Sequence, residues 1–231
     1  MLQQIVNTTS TIRAYGRPPV ATPMTASAHT LAGAFEMLGA TMQFERNTEI
    51  YGEDEPAEFF YQVVKGAVRT YKLLEDGRRQ IGAFYLPGDA FGLEAGAAHG
   101  FSAEAVVNST IRVAKRGAVV AMAARDSDIA ADLWAATATG LRLAQEHMLL
   151  LGRRNAEERV ATFLLDMSRR EDSESTIELP MSRQDIADYL GLTIETVSRT
   201  LTQLQHKAAI ELPSSRKIVV RSRASLQRLN A

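Results

Sequence analysis

The stretch from Ser182 to Leu201 constrains this chain more than any other, because two short amphipathic helices meet there across one glycine. Ser182, with Asp185 three residues later, is a variant of the capping box and starts a helix. Ile186, Tyr189 and Leu190 give that helix an apolar stripe. Small Ala187 lies where two crossing helices come close, and Gly191 supplies the positive φ or close approach of a tight turn. Thr193 caps a second helix whose inward face is Val197, Leu201 and Leu204. Ile194, Glu195, Ser198 and Arg199 are left on the outward face near its N-terminus, the part of a recognition helix that meets base edges. A helical hairpin in an ordinary core has the same register, and Glu195 with Arg199 could equally form a surface ion pair. As DNA contacts, the glutamate accepts from a cytosine amino group and the arginine pairs bidentately with guanine.

Charge separates these readings. From Val197 to the C-terminus seven Lys or Arg face one acid, Glu211; that is net +6 and leaves −7 on the rest of a chain whose total is −1. Positive charge gathered at one end is the field of a DNA-binding domain, although a basic tail can also serve solubility alone. Ala208 to Arg221 reads as a strand, a Pro-Ser-Ser turn and a second strand, with Arg216 and Lys217 near the tip to touch phosphates. The phosphate-positioning set is therefore Ser182, Arg183, Thr193, Thr196, Arg216 and Lys217, and the fold expected for residues 153–231 is a winged helix-turn-helix.

Asn155-Ala-Glu-Glu-Arg-Val-Ala-Thr-Phe, followed by Asp185-Ile-Ala-Asp-Tyr-Leu-Gly-Leu-Thr-Ile-Glu-Thr-Val-Ser-Arg-Thr-Leu, closely resembles the C-terminal half of the CRP/FNR transcription regulators. Glu195-x-x-Ser198-Arg199 looks like the FNR and FixK branch. The resemblance covers roughly residues 45 to 225. It implies a two-fold symmetric DNA site of the form TTGAT, four free bases, ATCAA. Glu195 and Arg199 would read the G·C pair of each half-site, Ser198 a neighbouring thymine, and Ile194 a thymine methyl. It also implies an activator that recruits RNA polymerase, commonly in control of microaerobic respiration and nitrogen-fixation genes.

Upstream, residues 1–30 are rich in Thr, Ala and Pro and lack the apolar core of a signal peptide, which predicts a flexible arm. Thr48 to Arg116 reads as β-structure. Tyr61 to Leu74 is broken at Gly66, Glu75-Asp76-Gly77-Arg78 is a tight hairpin turn, and Pro87-Gly88-Asp89 is another turn. Many short strands with such punctuation predict a barrel or jelly roll over residues 31–125. The segment also resembles the cyclic-nucleotide-binding roll of the same family, but the pocket departs from the nucleotide binders. They follow Phe-Gly with Glu-Leu and place an Arg-Ser pair about ten residues on, the arginine neutralising the phosphate. Here Phe91-Gly92 is followed by Leu93-Glu94, and the later pair is Phe101-Ser102. A phosphate buried there lacks its charge partner, so no cAMP response is expected unless an arginine such as Arg112 substitutes.

An iron–sulfur cluster needs about four thiolates, and the chain has no cysteine. Haem would need His29, His99, His147 or His206 as axial ligand, and a lone histidine is more often a surface residue. No cofactor, metal site or enzymatic nucleophile–base pair is expected, and no apolar run reaches membrane-spanning length. The absence of cysteine also fits the expected cytoplasmic location.

Residues 126–152 are expected to form a dimerisation helix and hinge. A heptad through Ile129–Leu151 places Trp134, Leu141 and Met148 at one core position and Thr137, Ala144 and Leu151 at the other. Burial within a single subunit is the competing reading. The combined expectation is an α+β chain: a cyclic-nucleotide-binding-like β-roll, a long dimerisation helix and a winged helix-turn-helix. It would act as a homodimer on double-stranded palindromic DNA, with RNA polymerase as second partner. The rival expectation is an effector-gated CRP-like regulator holding haem or another small ligand in its roll.

Overall fold

The computed structural model describes residues 29–152, 155–171, 173 and 175–229. Most of the expected arm therefore lies outside the described residues, as do positions 153 and 154 of the expected hinge. A short helix α1 (Leu31–Leu38) leads into eight strands: β1 (Ala40–Phe44), β2 (Glu49–Tyr51), β3 (Phe59–Lys65), β4 (Val68–Leu73), β5 (Arg79–Tyr85), β6 (Ala90–Phe91), β7 (Ser102–Ala105) and β8 (Ser109–Lys115). They form two four-stranded antiparallel sheets, ordered β1-β8-β3-β6 and β2-β7-β4-β5, which is the expected roll. Helix α1 and strand β1 lie ahead of the predicted β-region, where the sequence carries neither alternation nor turn residues strong enough to mark them.

Two turns show how the chain closes the roll. Gly66 has φ 92°, and a Cβ there would stand 2.3 Å from the Ser109 hydroxyl, so only glycine passes. The Asp76-Gly77 turn differs from the tight two-residue form. Only Gly77 takes a positive φ, of 80°. Leu74 accepts from the Gly77 N–H and donates to Arg78, while the Asp76 carboxylate accepts from the Arg78 N–H at 3.0 Å. This is the longer hairpin loop that ends in a left-handed glycine.

Helix α2 (Arg116–Ala123) turns into the long α3 (Ser127–Leu151), whose first turn is capped by the Asp126 side chain. Leu133 and Ala136 pack with Leu31, Phe35, Phe60 and Val119, and Ile129 is buried one turn earlier, so one side of α3 is seated on its own roll. The C-terminal domain contains α4 (Ala156–Arg170), capped by Asn155, then β9 (Thr176–Glu178), α5 (Arg183–Leu190), α6 (Ile194–His206), β10 (Ile210–Glu211), β11 (Lys217–Val220) and α7 (Arg223–Leu229). Strands β10 and β11 are the predicted wing. Strand β9 pairs with β11 as well, giving a three-stranded sheet that sequence reading missed because β9 is only three residues long.

The two domains share one apolar core. Ile81 and Phe84 of the roll cluster with Phe163, Leu164, Ile186 and Leu190 of the helical domain. His147 from α3 joins them: its ring stacks on Tyr189 at 3.9 Å, and Nε2 donates to the Tyr189 carbonyl at 2.7 Å. His147 and His99 are thus buried, not surface histidines. Burial holds the His147 pKa below its ordinary 6.5, outweighing the Tyr189 and Gly82 carbonyls that favour the charged ring. As pH falls the unfolded chain takes up this proton first, so the contribution of His147 is full above 6.5 and is lost below it. His147→Gln should therefore flatten the fall in urea midpoint between pH 7 and pH 5.5. An equal fall in variant and parent would place the titrating group elsewhere.

Candidate nucleic-acid interface

Helices α5 and α6 form the predicted pair. The Ser182 hydroxyl accepts from the Asp185 N–H at 3.1 Å, and the Asp185 carboxylate accepts from the Ser182 N–H at 3.0 Å and from its hydroxyl at 2.7 Å. The Ser182 side chain is thereby engaged inside its own helix start. Gly191 ends α5 with φ 61°. The Thr193 side chain then caps α6 by accepting from the Thr196 N–H at 3.2 Å, and the two threonine hydroxyls lie 3.1 Å apart. Val197, Leu201 and Leu204 are fully buried, as the spacing predicts, together with Ile186, Ala187 and Leu190.

The opposite face of α6 is open. Ile194, Glu195, Ser198 and Arg199 line one shallow concavity, and Ser198, Arg199, Thr202 and Gln203 line the next. Thr202 and Gln203, which the sequence reading did not single out, continue the face by one turn at the same helical spacing. The Glu195 carboxyl is held below the usual carboxylate range by its own backbone N–H and the Thr193 hydroxyl, and Arg199 contributes least. An ionised carboxylate at this place is acceptor-only. Arg199 directs Nε toward the Glu195 carbonyl at 3.4 Å, and Arg183 reaches the Ser198 hydroxyl at 3.3 Å. An acceptor-only carboxylate and a guanidinium fork one turn apart can address a cytosine amino group and a guanine edge together.

Not all the C-terminal charge reaches this face. Lys207 is held by Glu157 at 2.6 Å, and Arg221 is paired with Glu211 across the wing. Among the described residues no carboxylate forms an ion pair with Arg199, Arg216 or Lys217. Arg216 precedes β11, its carbonyl accepting from the Leu179 N–H, and Lys217 opens the strand opposite Glu178.

On α3, Trp134, Leu141 and Met148 are 76, 62 and 65 % exposed, and Thr137 and Ala144 lie exposed beside them. Leu151 differs. It is half-buried, and its Cδ2 would stand 3.4 Å from a Cβ on Gly191, so it packs on the helix turn of its own chain.

The interior of the roll is filled by rings. Tyr51 stacks on His99 at 3.6 Å, and Phe91 packs between Tyr61 and Tyr85 at 5.1 Å from each. Burial pushes the Tyr61 and Tyr85 phenols up to about 12. Phe101, at the place of the nucleotide binders' arginine, lies outside against Gly82 and under the Lys72 ammonium. Arg112 is engaged by Glu36 at 3.0 Å and Gln62 at 3.4 Å. Among the described residues no three metal-ligating side chains cluster, and no helix is long and apolar enough to cross a membrane.

These features match known proteins at both ends of the chain. Residues 41–126 match the cyclic nucleotide-binding domain and residues 158–229 the Crp-like helix-turn-helix domain. The chain belongs to the CRP/FNR transcription regulators, in the FixK branch. It is 53 % identical to the nitrogen fixation regulation protein FixK of Azorhizobium caulinodans, over 84 % of this chain and 80 % of the relative. The FixK of Rhizobium meliloti is 44 % identical over 80 % of this chain and 85 % of its own. The solved structure of FixK2 from Bradyrhizobium japonicum superposes with TM-score 0.81 at 55 % identity, covering 84 % of this chain and 98 % of that one. As a member of this branch the chain is a DNA-binding transcription regulator, and its relatives are regulators, not enzymes.

Proposed function

We propose that this FixK-branch regulator is a cytoplasmic transcription activator that binds, as a homodimer, a palindrome of the form TTGAT-N4-ATCAA. In this reading it serves microaerobic respiration or nitrogen-fixation genes, and it needs no cyclic nucleotide or iron–sulfur group of its own. The observation that carries it is the open face of α6, where an ionised Glu195 and the Arg199 fork stand one turn apart with Ser198 and Ile194 beside them. Glu195 and Arg199 would read the G·C pair of each half-site. Arg183, Thr193, Thr196, Arg216 and Lys217 would position the phosphates, and Ser182 would act through its cap.

A palindrome requires two symmetric heads. The exposed stripe of Trp134, Leu141 and Met148 supports a partner helix there, covering about 21 Å of α3 at the usual rise per residue. The aromatic filling of the roll, the outward Phe101 and the engagement of Arg112 support independence from cAMP. RNA polymerase would be recruited from an adjacent surface.

One observation favours the rival, effector-gated reading. Both ring nitrogens of His99, the Tyr51 hydroxyl and one Glu94 oxygen are buried without a hydrogen bond among the described residues, although His99 Nδ1 and that Glu94 oxygen lie 3.5 Å from each other. A small polar effector would satisfy them, in which case the purified protein alone would bind promoter DNA weakly.

Arg199→Ala should weaken palindrome binding by about 1–3 kcal/mol per contacted base pair and relax discrimination at the guanine. Unchanged affinity and preference in an electrophoretic shift would remove α6 from the reading role. Leu141→Glu should leave a monomer by sedimentation and abolish binding to the palindrome, and a dimeric variant would refute the seam. Titrated with cAMP, the protein should give no calorimetric heat and no gain in DNA affinity. Micromolar binding would mean that the roll accepts the nucleotide after all.

A further inference from the structure

The Asp185 carboxylate has two separate duties. Oδ2 closes the capping box of α5, accepting from the Ser182 N–H and hydroxyl. Oδ1 faces the other way and accepts from two arginines of the β-roll, Arg69 at 2.9 Å and Arg79 at 2.7 Å. Arg69 also donates to Glu104 of β7 at 2.7 Å, and Arg79 to Asp188 of α5 at 2.8 Å. Gln80 follows with a bond to the Asp188 carbonyl at 2.8 Å. Arg69 and Asp185 are 5 and 4 % exposed, so the contact lies in a nearly dry interface and not on a solvated surface. Lower down the same interface, Arg170 of α4 pairs with Asp89 of the roll.

We infer that Arg69 and Arg79 are positioning residues for DNA recognition: they fix the roll to the N-terminus of α5 and so set where α6 stands relative to the dimer axis. Two features point to positioning over blocking. The bonds end on the face of α5 turned toward the roll, and the α6 reading face remains open. The arginines also converge on the residue that starts the helix pair, so a tilt of the head would break both interdomain pairs at once while the cap, internal to the head, would move with it. Guanidinium forks hold direction as well as charge, which a lysine at either place would not reproduce. Spacing between half-sites is the property that such a fixture controls, since each head must meet its half-site at a fixed separation.

The inference rests on the palindrome reading above only for its DNA readout, so the test has two arms on the full-length protein. In the first, binding is measured on palindromes with spacers of two to six base pairs. The parent should prefer one spacing. Arg69→Gln and Arg79→Gln should each reduce the affinity ratio between that spacing and the others at least tenfold, while the penalty for a changed base inside the half-site stays as in the parent. A structural defect alone would weaken all spacings equally, and that result overturns the inference, as does a parent indifferent to spacing. Tighter binding by the variants also overturns it, because the contact would then restrain the reader.

The second arm needs no DNA. The chain has no cysteine, so Glu75→Cys with Gln203→Cys places one spin-label pair across the two domains. Diluted with unlabelled chains, the pair should give a narrow distance distribution in the parent and a broad one with Arg79→Gln. Arg79 is partly exposed, so this variant tests the contact even if Arg69→Gln does not fold. Equal distributions would overturn the inference even where the palindrome proves correct. A broadened distribution with no palindrome binding by the parent would count against the site reading alone.

Discussion

One buried carboxylate stands at the centre of the polar contacts between the two halves of this molecule. Asp185 starts the first helix of the DNA-binding pair with one oxygen and receives the roll's arginines on the other. Burying such a group is costly unless every lone pair is met, and removing one partner of a buried pair costs about 3–5 kcal/mol. The surrounding contacts are arranged around that demand. Glu104 neutralises Arg69 from behind, Asp188 shares Arg79, and the apolar cluster of Ile81, Phe84, Phe163 and Leu190 excludes water beside them.

The roll gains a different meaning from this arrangement. Its family name is that of a nucleotide binder, yet its interior is taken up by Tyr51, Tyr61, Tyr85, Phe91 and His99. Its outer face is where the DNA-binding domain is seated, through β4 and β5. The helix α3 serves both halves as well. Its first turns pack on the roll, His147 and Leu150 near its end pack against the head, and an apolar stripe faces outward between them. The contacts that seat the head on the roll all lie within one chain.

What the sequence disclosed depended on range. The helix-turn-helix was legible because caps, periodicity and the Gly191 turn are local, and all of Val197, Leu201 and Leu204 fall where their spacing puts them. The β-roll was legible from its turns, although the Asp76-Gly77 loop is longer than the dipeptide suggests. The seat was not legible. Arg69 and Arg79 read as ordinary charges on strands, and their partner Asp185 lies 116 and 106 residues away. Net charge also overstated the reading face, since Lys207 and Arg221 are held by Glu157 and Glu211. Leu151 shows the same limit: the heptad places it in the outward seam, but the end of α3 turns it onto Gly191 of its own chain.

The central claim is that internal contacts alone hold the reader in a binding-competent arrangement. Its most direct test is the equilibrium affinity of exhaustively dialysed full-length protein for the palindrome and for scrambled DNA of the same length, at one fixed salt concentration. The account predicts binding to the palindrome at least about 10³-fold tighter than to scrambled DNA with nothing added. Affinities that stay level until a small molecule is supplied would contradict it.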